Sequence, residues 1–274
     1  MTLAVADERG SVPPRASKIS CRGVRKVYPR PGEADLVALE RTDLEVGDEE
    51  LVCLVGPSGC GKSTLLFIIA GLIPPTAGQV EVDGQLVRGP HKSRGVVFQP
   101  DATFPWLDVR RNVEFGPSMA GLPRDEVRRT GQRYIDLVGL TDYANLLPRE
   151  LSGGMKKRVD IARAIANEPD VLLMDEPFGA LDAMTKQRLQ DELLQLWERD
   201  RRTILFVTHD LEEAAYLGTR VAVMGREPNV IRSILPVDLP RPRTPAMRTS
   251  SEFQAVRREL WARFESTEAT SAEG

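Results

Sequence analysis

The sequence has no apolar run long enough to cross a lipid bilayer. Its longest run, LLFIIAGLI at residues 65–73, is about half of the ~20 residues that a membrane-spanning helix needs. The first residues, MTLAVADERGSVPPRAS, also lack the basic start and the apolar stretch of a signal peptide. From these two absences we expect the protein to stay in the cytosol.

Cysteine is scarce: the chain has three, at Cys21, Cys53 and Cys60. Three cysteines cannot all pair, they have no metal-ligand spacing, and a cytosolic setting keeps thiols reduced. The chain also lacks a large excess of positive or negative charge, since its formal net charge is only −3. That balance gives no reason to expect nucleic acid as a partner.

The chain does have the length and apolar content for a full core. It has 274 residues, 41% hydrophobic and 28% charged, which suggests about one or two domains. We predict a disordered tail over residues 1–17, a main domain over 18–235 and a C-terminal extension over 236–274. The extension is predicted to start as an extended segment, PVDLPRPRTPAMRTS, and to continue as a short helix at about residues 251–264.

Short apolar strands alternate with helical segments in the main domain. The predicted strands include LVCLV, GVVFQ, VLLMDE, TILFVTHD and RVAVM, and a hairpin is predicted in QVEVDGQLV. Apolar strands separated by helices indicate a parallel sheet covered on both faces. Residues 100–167 interrupt this alternation and are predicted to form an inserted helical lobe.

The strongest motif is GPSGCGKST at residues 56–64, which follows the apolar strand LVCLV and precedes an apolar helical stretch. Its glycines let successive backbone N–H groups point inward at phosphate oxygens, and the helix adds its positive dipole end. Lys62 can reach the β and γ phosphates, and the hydroxyl of Ser63 can bind Mg²⁺. The residues predicted to bind phosphate are Gly56, Pro57, Ser58, Gly59, Cys60, Gly61, Lys62, Ser63 and Thr64.

Cys60 lies inside this loop and has two interpretations. A thiol among phosphate-binding amides could become acidic and oxidisable. The simpler interpretation is a small residue that a tight loop tolerates.

Two carboxylates, Asp175 and Glu176, follow the apolar strand VLLM. They are predicted to emerge at the carboxyl edge of the sheet, beside the phosphate loop. Asp175 would hold the Mg²⁺ ion, and Glu176 would polarise the attacking water.

A second anion site is predicted at LSGGM, residues 151–155. Ser152 is a natural N-cap for the helix that follows, and Gly153 and Gly154 expose amides at its positive end. One chain with two such sites can use both on a single nucleotide if a second copy docks head to tail.

Together these motifs resemble the ATP-binding subunit of an ABC transporter. The resemblance covers about residues 19–235, and the motifs occur in the family's order: Walker A (GPSGCGKST), Q-loop glutamine, signature (LSGGM), Walker B (VLLMDE), D-loop (ALD) and switch histidine. More narrowly, FPWLDV, LLMDEPFGALDA, FVTHDLEEA and LPVDLPRPR look like the nitrate, sulfonate and taurine importer subfamily.

The resemblance implies roles for individual residues. Tyr28 would stack on adenine, and Gln99 would bind Mg²⁺ and sense the γ phosphate. Gln99 and His209 would join Glu176 as catalytic residues. The further nucleotide contacts, from the signature and the D-loop, would be Ser152, Gly153, Gly154 and Asp182.

The resemblance also implies a fold and a setting. The fold would be a P-loop NTPase (RecA-like) α/β core with an N-terminal antiparallel β subdomain and an inserted helical subdomain. ATP and Mg²⁺ would be the cofactors of a homodimeric ATPase. The homodimer would lie on the inner face of the plasma membrane, bound to permease subunits. A periplasmic or lipid-anchored solute-binding protein would be an indirect partner. Nucleic acid is not expected.

Two other functions stay open on the sequence. One is a soluble ABC ATPase that acts on nucleic acid or ribosomes, although such proteins carry paired cassettes, coiled coils or zinc-binding inserts. The other is a small-molecule kinase, which would leave LSGGM and the helical lobe unexplained.

Two residues depart from the family pattern. Met155 stands where most ABC proteins carry glutamine, although the importer subfamily often has methionine. Asp160 stands in the helix after the signature where a small residue is usual, and a solvated helix face would accommodate it.

The loop PDATFPWL, residues 100–107, directly follows Gln99. Exposed aromatic residues flanked by polar ones indicate an interface, so Phe104 and Trp106 are predicted to face the membrane partner. The alternative is that both rings pack the lobe onto the sheet.

Overall fold

The computed structural model describes residues 17–179, 181–226 and 229–269. The strands are β1 (Ser17–Tyr28), β2 (Leu36–Gly47), β3 (Leu51–Val55), β4 (Ala77–Val82), β5 (Gln85–Leu86), β6 (Arg94–Val97), β7 (Val171–Asp175), β8 (Thr203–Val207), β9 (Arg220–Met224) and β10 (Ile231–Pro236). The helices are α1 (Lys62–Ala70), α2 (Val109–Met119), α3 (Arg124–Leu137), α4 (Gly153–Ala166), α5 (Ala183–Asp200), α6 (Leu211–Leu217) and α7 (Ser251–Ala269).

The N-terminal part is an antiparallel sheet with the strand order β2, β1, β4, β5. Alternation along β1 buries Ile19, Cys21 and Val24. The β4–β5 hairpin turns at Asp83 and Gly84, whose φ angles of 52° and 69° are those of a type I′ turn. The predicted hairpin is therefore confirmed. The predicted tail lies outside the described residues, except that Ser17 begins β1.

The second sheet has the strand order β10, β9, β3, β8, β7, β6. Strands β9, β3, β8, β7 and β6 are parallel, and β10 runs antiparallel to β9 at one edge. Every residue of β3, β7 and β8 is buried, because helices or the other sheet cover both faces. The predicted α/β fold with a parallel core and an N-terminal antiparallel sheet is confirmed.

Strand β3 contributes to the core on both sides of this sheet. Leu51, Cys53 and Val55 pack with residues of α2 to α7, whereas Val52 and Leu54 pack with α1 and the antiparallel sheet. The strand is thus held from both faces, which fixes the position of the loop that follows it.

Helices α2, α3 and α4 form a lobe between β6 and β7 along the chain. On α3 and at its end, the apolar residues that the helical spacing singles out are all buried: Val127, Tyr134, Ile135 and Val138. None of the helices among the described residues is long and apolar enough to span a bilayer.

The chain after β9 packs more tightly than the sequence predicts. Strand β10 was not predicted, and Pro245–Thr249 form a 3₁₀ helix within the segment expected to be extended. Helix α7 is present and longer than predicted, and it buries Phe253 and Leu260 completely. The prolines correctly indicate irregular backbone but carry no information on these tertiary contacts.

Candidate active site

The phosphate loop joins the buried strand β3 to helix α1. Gly61, the residue before the helix, has a φ of 99°, and a Cβ there would collide with the carbonyl oxygen of Ala38. A Cβ at Gly56 would likewise overlap the carbonyl oxygen of Met224. Glycine is therefore required at both positions by the neighbouring backbone, and the loop is held in a fixed curl.

Lys62 begins helix α1 and folds back over the loop. Its Nζ donates hydrogen bonds to the carbonyl oxygens of Gly56 at 2.7 Å and Pro57 at 2.9 Å. The positive end of the helix dipole and this ammonium group lie at the same place. The arrangement favours a polyphosphate.

Ser63 and Asp175 join the loop to the end of β7. The Ser63 hydroxyl donates to Oδ1 of Asp175 at 2.9 Å. Burial raises the pKa of Asp175, and the hydrogen bond from Ser63 lowers it in part. A hydroxyl and a carboxylate held together are hard oxygen ligands of the kind that Mg²⁺ prefers. The residues present therefore fit the predicted ion.

Glu176 follows β7 with a φ of 43°, a left-handed conformation that is strained for a residue with a side chain. Its Oε2 accepts a hydrogen bond from Nε2 of Gln99 at 3.2 Å and lies 3.2 Å from Nδ1 of His209. Two side chains, Gln99 after β6 and His209 after β8, thus converge on the carboxylate of Glu176 at the end of β7. All three were predicted as catalytic residues from the sequence.

A cavity of about 320 Å³ opens between the two sheets at this point. Tyr28 lies at its rim with 37% of its surface exposed, and Lys26 Nζ lies 5.0 Å from the centre of its ring. The predicted residues that line the cavity are Tyr28, Ser58, Gly59, Gly61, Lys62, Ser63, Thr64, Gln99 and Glu176, joined by Leu36 and Ala38.

The signature motif lies elsewhere on the same chain. Ser152 caps α4, its hydroxyl oxygen accepting from Met155 N at 3.3 Å, and Gly153 and Gly154 form the first turn. Asp182 caps α5 and accepts from Thr185 N at 3.0 Å. None of the predicted signature and D-loop residues lines the cavity formed by the described residues. Ala180 of the predicted D-loop lies outside the described residues.

Hydrogen bonds from Thr185 lower the pKa of Asp182. Asp182 is thus a carboxylate fixed at the start of a helix, next to the exposed Met184.

Cys60 is completely buried within the loop. Burial raises the pKa of its thiol, although the charge of Lys62 and backbone hydrogen bonds partly oppose this shift. The structure therefore favours the interpretation of Cys60 as a small residue in a tight turn over that of an acidic, oxidisable thiol.

The interpretation of Asp160 as part of a solvated helix face is wrong. Asp160 is 3% exposed, and its Oδ2 accepts a hydrogen bond from the backbone N–H of Ala102 at 2.8 Å. Its neighbour Lys157, which the sequence reasoning missed, is also buried and bonds to the same loop. Lys157 and Asp160 share a helical face with the apolar residues Ile161 and Ala164, and this spacing was the signal available.

The aromatic residues after Gln99 divide into two kinds. Trp106 is 71% exposed. Phe104 is half-buried and packs with its ring centre 4.7 Å from that of Phe115 and 5.5 Å from that of Trp106. Phe104 thus packs against the lobe itself, and its ring contacts do not join the lobe to the sheet as the alternative interpretation had it. Trp106 is exposed, as the predicted interface requires.

Comparisons with known proteins agree with this geometry. A family model described as ABC transporter matches residues 39–179. An ATP-binding protein of Brucella abortus (strain 2308) is 55% identical over 225 residues, which cover 82% of this chain and 86% of the relative.

Two relatives with more specific names are also similar. A nitrate import ATP-binding protein of Synechocystis sp. is 51% identical over 75% of this chain and 77% of the relative. An aliphatic sulfonates import ATP-binding protein of Bacillus subtilis is 43% identical over 89% of this chain and 92% of the relative.

Among solved structures, the chain is similar to the dimeric post-hydrolysis state of the ATP-binding cassette MJ0796 bound to ADP and Pi. The TM-score is 0.74 at 32% identity, and the match covers 81% of this chain and 99% of that one. With the phosphate loop, its paired carboxylates and the capped signature helix in place, the chain belongs to the ABC transporter family, as an ATPase of the cassette type.

Proposed function

We propose that this chain is the ATP-hydrolysing subunit of an importer for a small anion, and that it works as a head-to-tail homodimer on separate membrane subunits. The observation that carries the catalytic part is the convergence of Gln99 and His209 on one oxygen of Glu176, beside the cavity that the phosphate loop lines. The importer part rests on the names of the relatives.

Glu176 is proposed to be the group that polarises the attacking water. A carboxylate must be oriented to do this, and Gln99 and His209 reach Oε2 from different elements. In this proposal the other oxygen, Oε1, is the one that would accept a hydrogen bond from the water. His209 is proposed to move a proton at the γ phosphate.

Ser63 and Asp175 are proposed to hold Mg²⁺, with the Gln99 side chain as a further oxygen ligand. The ion would supply charge neutralisation between the β and γ phosphates. Lys62 and the loop amides would bind the same phosphates, and Tyr28 would stack on the adenine.

The separation of the two anion sites supports the proposed head-to-tail dimer. Gly153 and Gly154 present free helix N–H groups at the positive end of α4, yet they do not line the cavity of their own chain. A second copy would bring them to the γ phosphate, and Asp182 would lie at the same interface. The dimeric state of the related cassette MJ0796 is consistent with such an assembly.

The transported solute is proposed to be a small oxyanion or sulfonate. Relatives bear the names of nitrate, aliphatic sulfonate and taurine import proteins. Specificity would lie in a permease and an extracytoplasmic solute-binding protein. The alternative of a soluble ATPase acting on nucleic acid or ribosomes has less support, because these relatives are named for import.

Growth of a deletion strain tests this proposal. Without the gene, we expect growth to fail on at least one of nitrate, taurine, an alkanesulfonate or cyanate as sole nitrogen or sulfur source. The native gene should restore growth, and Lys62→Ala should not. Normal growth of the deletion strain on all of them would contradict the proposed solute class.

A further inference from the structure

Helix α4 carries three charged residues on one stripe, at Lys157, Asp160 and Arg163. Spacing of three places such side chains on one face of a helix. All three point at the loop of residues 98–104, which follows strand β6 and includes Gln99. Lys157 is 1% and Asp160 3% exposed, so neither is a solvated charge.

Lys157 binds the start of this loop. Its Nζ donates to the carbonyl oxygens of Phe98 and Gln99, each at 2.8 Å, and lies 3.5 Å from that of Pro100. Carbonyl groups beyond the end of a strand have lost their sheet partners and need another donor when buried. One ammonium group supplies it for successive residues.

Asp160 binds the next part of the loop. Its Oδ2 accepts from the backbone N–H of Ala102 at 2.8 Å, and its Oδ1 lies 3.7 Å from Nη2 of Arg163. The Arg163 guanidinium in turn lies 4.7 Å from the centre of the Phe104 ring. The stripe therefore contacts the loop at intervals along its length, from Phe98 to Phe104.

Burying these charges is expensive. Removing an ammonium and a carboxylate from water opposes folding, and an apolar pair is often as stable. A small residue at position 160 would avoid that cost but would leave the Ala102 N–H without its acceptor. The charges are thus weak contributors to stability and strong determinants of where the loop lies.

We infer that Lys157 and Asp160 are positioning residues that fix the loop of Gln99 to helix α4. The Gln99 amide is thereby held against Glu176, and the same helix carries Ser152 at its N-terminus. The inference rests on the proposed catalytic role of Glu176. Trp106 follows this loop directly, so a partner bound at Trp106 would act next to a segment that is attached to the helix with the signature at its N-terminus.

Hydrogen exchange of the backbone amides tests the attachment directly. In Asp160→Ala, the Ala102 amide should lose its protection. The Phe104 amide should keep its protection, because it donates to Oδ1 of Asn112 at 2.8 Å. Asp160→Asn retains an acceptor oxygen and should preserve protection at Ala102. As a matched control, Glu114→Ala removes another largely buried carboxylate of the lobe and should change neither amide.

Steady-state ATPase kinetics test the consequence. Lys157→Met keeps the length of the side chain but removes the donor, so kcat should fall by about tenfold or more while the KM for ATP stays within about twofold. Asp160→Ala should behave likewise, and Asp160→Asn should retain most of the native kcat. Should Asp160→Ala fail to fold, Lys157→Met decides the test.

Native kcat in both Lys157→Met and Asp160→Ala, or unchanged exchange at Ala102 in Asp160→Ala, would overturn the inference. So would an equal loss in Asp160→Asn and Asp160→Ala. Failure of the proposed function looks different: the unsubstituted protein would then hydrolyse no ATP, or would hydrolyse it independently of Glu176.

Discussion

The side-chain amide of Gln99 donates to Oε2 of Glu176 at 3.2 Å. Gln99 follows strand β6 and Glu176 follows the neighbouring strand β7, so the contact ties the loop of the helical lobe to the carboxylate beside the phosphate loop. His209 approaches the same oxygen. Any movement of the Gln99 loop therefore affects the carboxylate of Glu176, the group proposed to activate water.

A mixing experiment tests the split site. We expect Lys62→Ala and Ser152→Arg each to abolish ATP hydrolysis, since one removes a phosphate ligand and the other blocks the signature end of α4. In a mixture, each heterodimer would have one intact site and one doubly damaged site. Measurable ATPase activity should therefore return. Each heterodimer should reach up to about half of the activity of a native dimer, because one of its two sites is intact.

Size-exclusion chromatography with ATP checks the same mixture for dimers. The arrangement is wrong if both parents keep native activity and the mixture does not differ from them.

Trp106→Ala tests the docking surface. Because Trp106 is 71% exposed and does not line the nucleotide cavity, ATP binding by the isolated subunit should stay nearly native. Co-purification with the permease should weaken, and transport should be lost. Trp261→Ala, which removes another exposed tryptophan, should retain both. Normal assembly and transport by Trp106→Ala would contradict the proposal that Trp106 binds the permease.

Phe253→Ala tests whether the C-terminal extension stabilises the cassette. Phe253 is completely buried and its ring centre lies 6.5 Å from that of Tyr216 on α6. Truncation should lower the free energy of unfolding by about 3–5 kcal/mol, measured by urea denaturation. Trp261→Ala on the same helix should change it by about 0.5 kcal/mol or less. A native stability for Phe253→Ala would mean that α7 does not pack on the core in solution.

Thiol reactivity tests the interpretation of Cys60. Burial raises the pKa of Cys21, Cys53 and Cys60, so at a given pH each carries less thiolate than an ordinary cysteine. Alkylation of the native protein at pH 7 should thus be much slower than that of the unfolded chain, and its rate should rise only at higher pH. Mass spectrometry assigns the sites. Rapid labelling of Cys60 at pH 7 would instead indicate an acidic thiol.

The phosphate loop and the buried strands were predictable because their signals are local. GPSGCGKST needs its glycines within one turn, and LVCLV is apolar throughout because both faces of the sheet are covered. Gln99 and Glu176 were each predicted at the end of a strand from the local pattern. The sheet topology then brings the two together, because β6 and β7 are neighbouring parallel strands.

The attachment of the Gln99 loop was not predictable in this way. Asp160 and Ala102 are 58 residues apart, and a charged residue in a helix is by default assigned to the solvated face. Only the fold shows that this face of α4 lies against an irregular loop with unpaired backbone groups. Strand β10 was missed for a related reason, because its pairing with β9 compensates for a weak local pattern.

Glu176→Gln tests the central claim most directly. The amide keeps the shape of the carboxylate but cannot polarise water, so the variant should bind ATP, hydrolyse it at a small fraction of the native rate and form a stable dimer when ATP and Mg²⁺ are present. Single-turnover hydrolysis and analytical ultracentrifugation on the same sample measure both properties. Unchanged or faster turnover in Glu176→Gln would contradict the account.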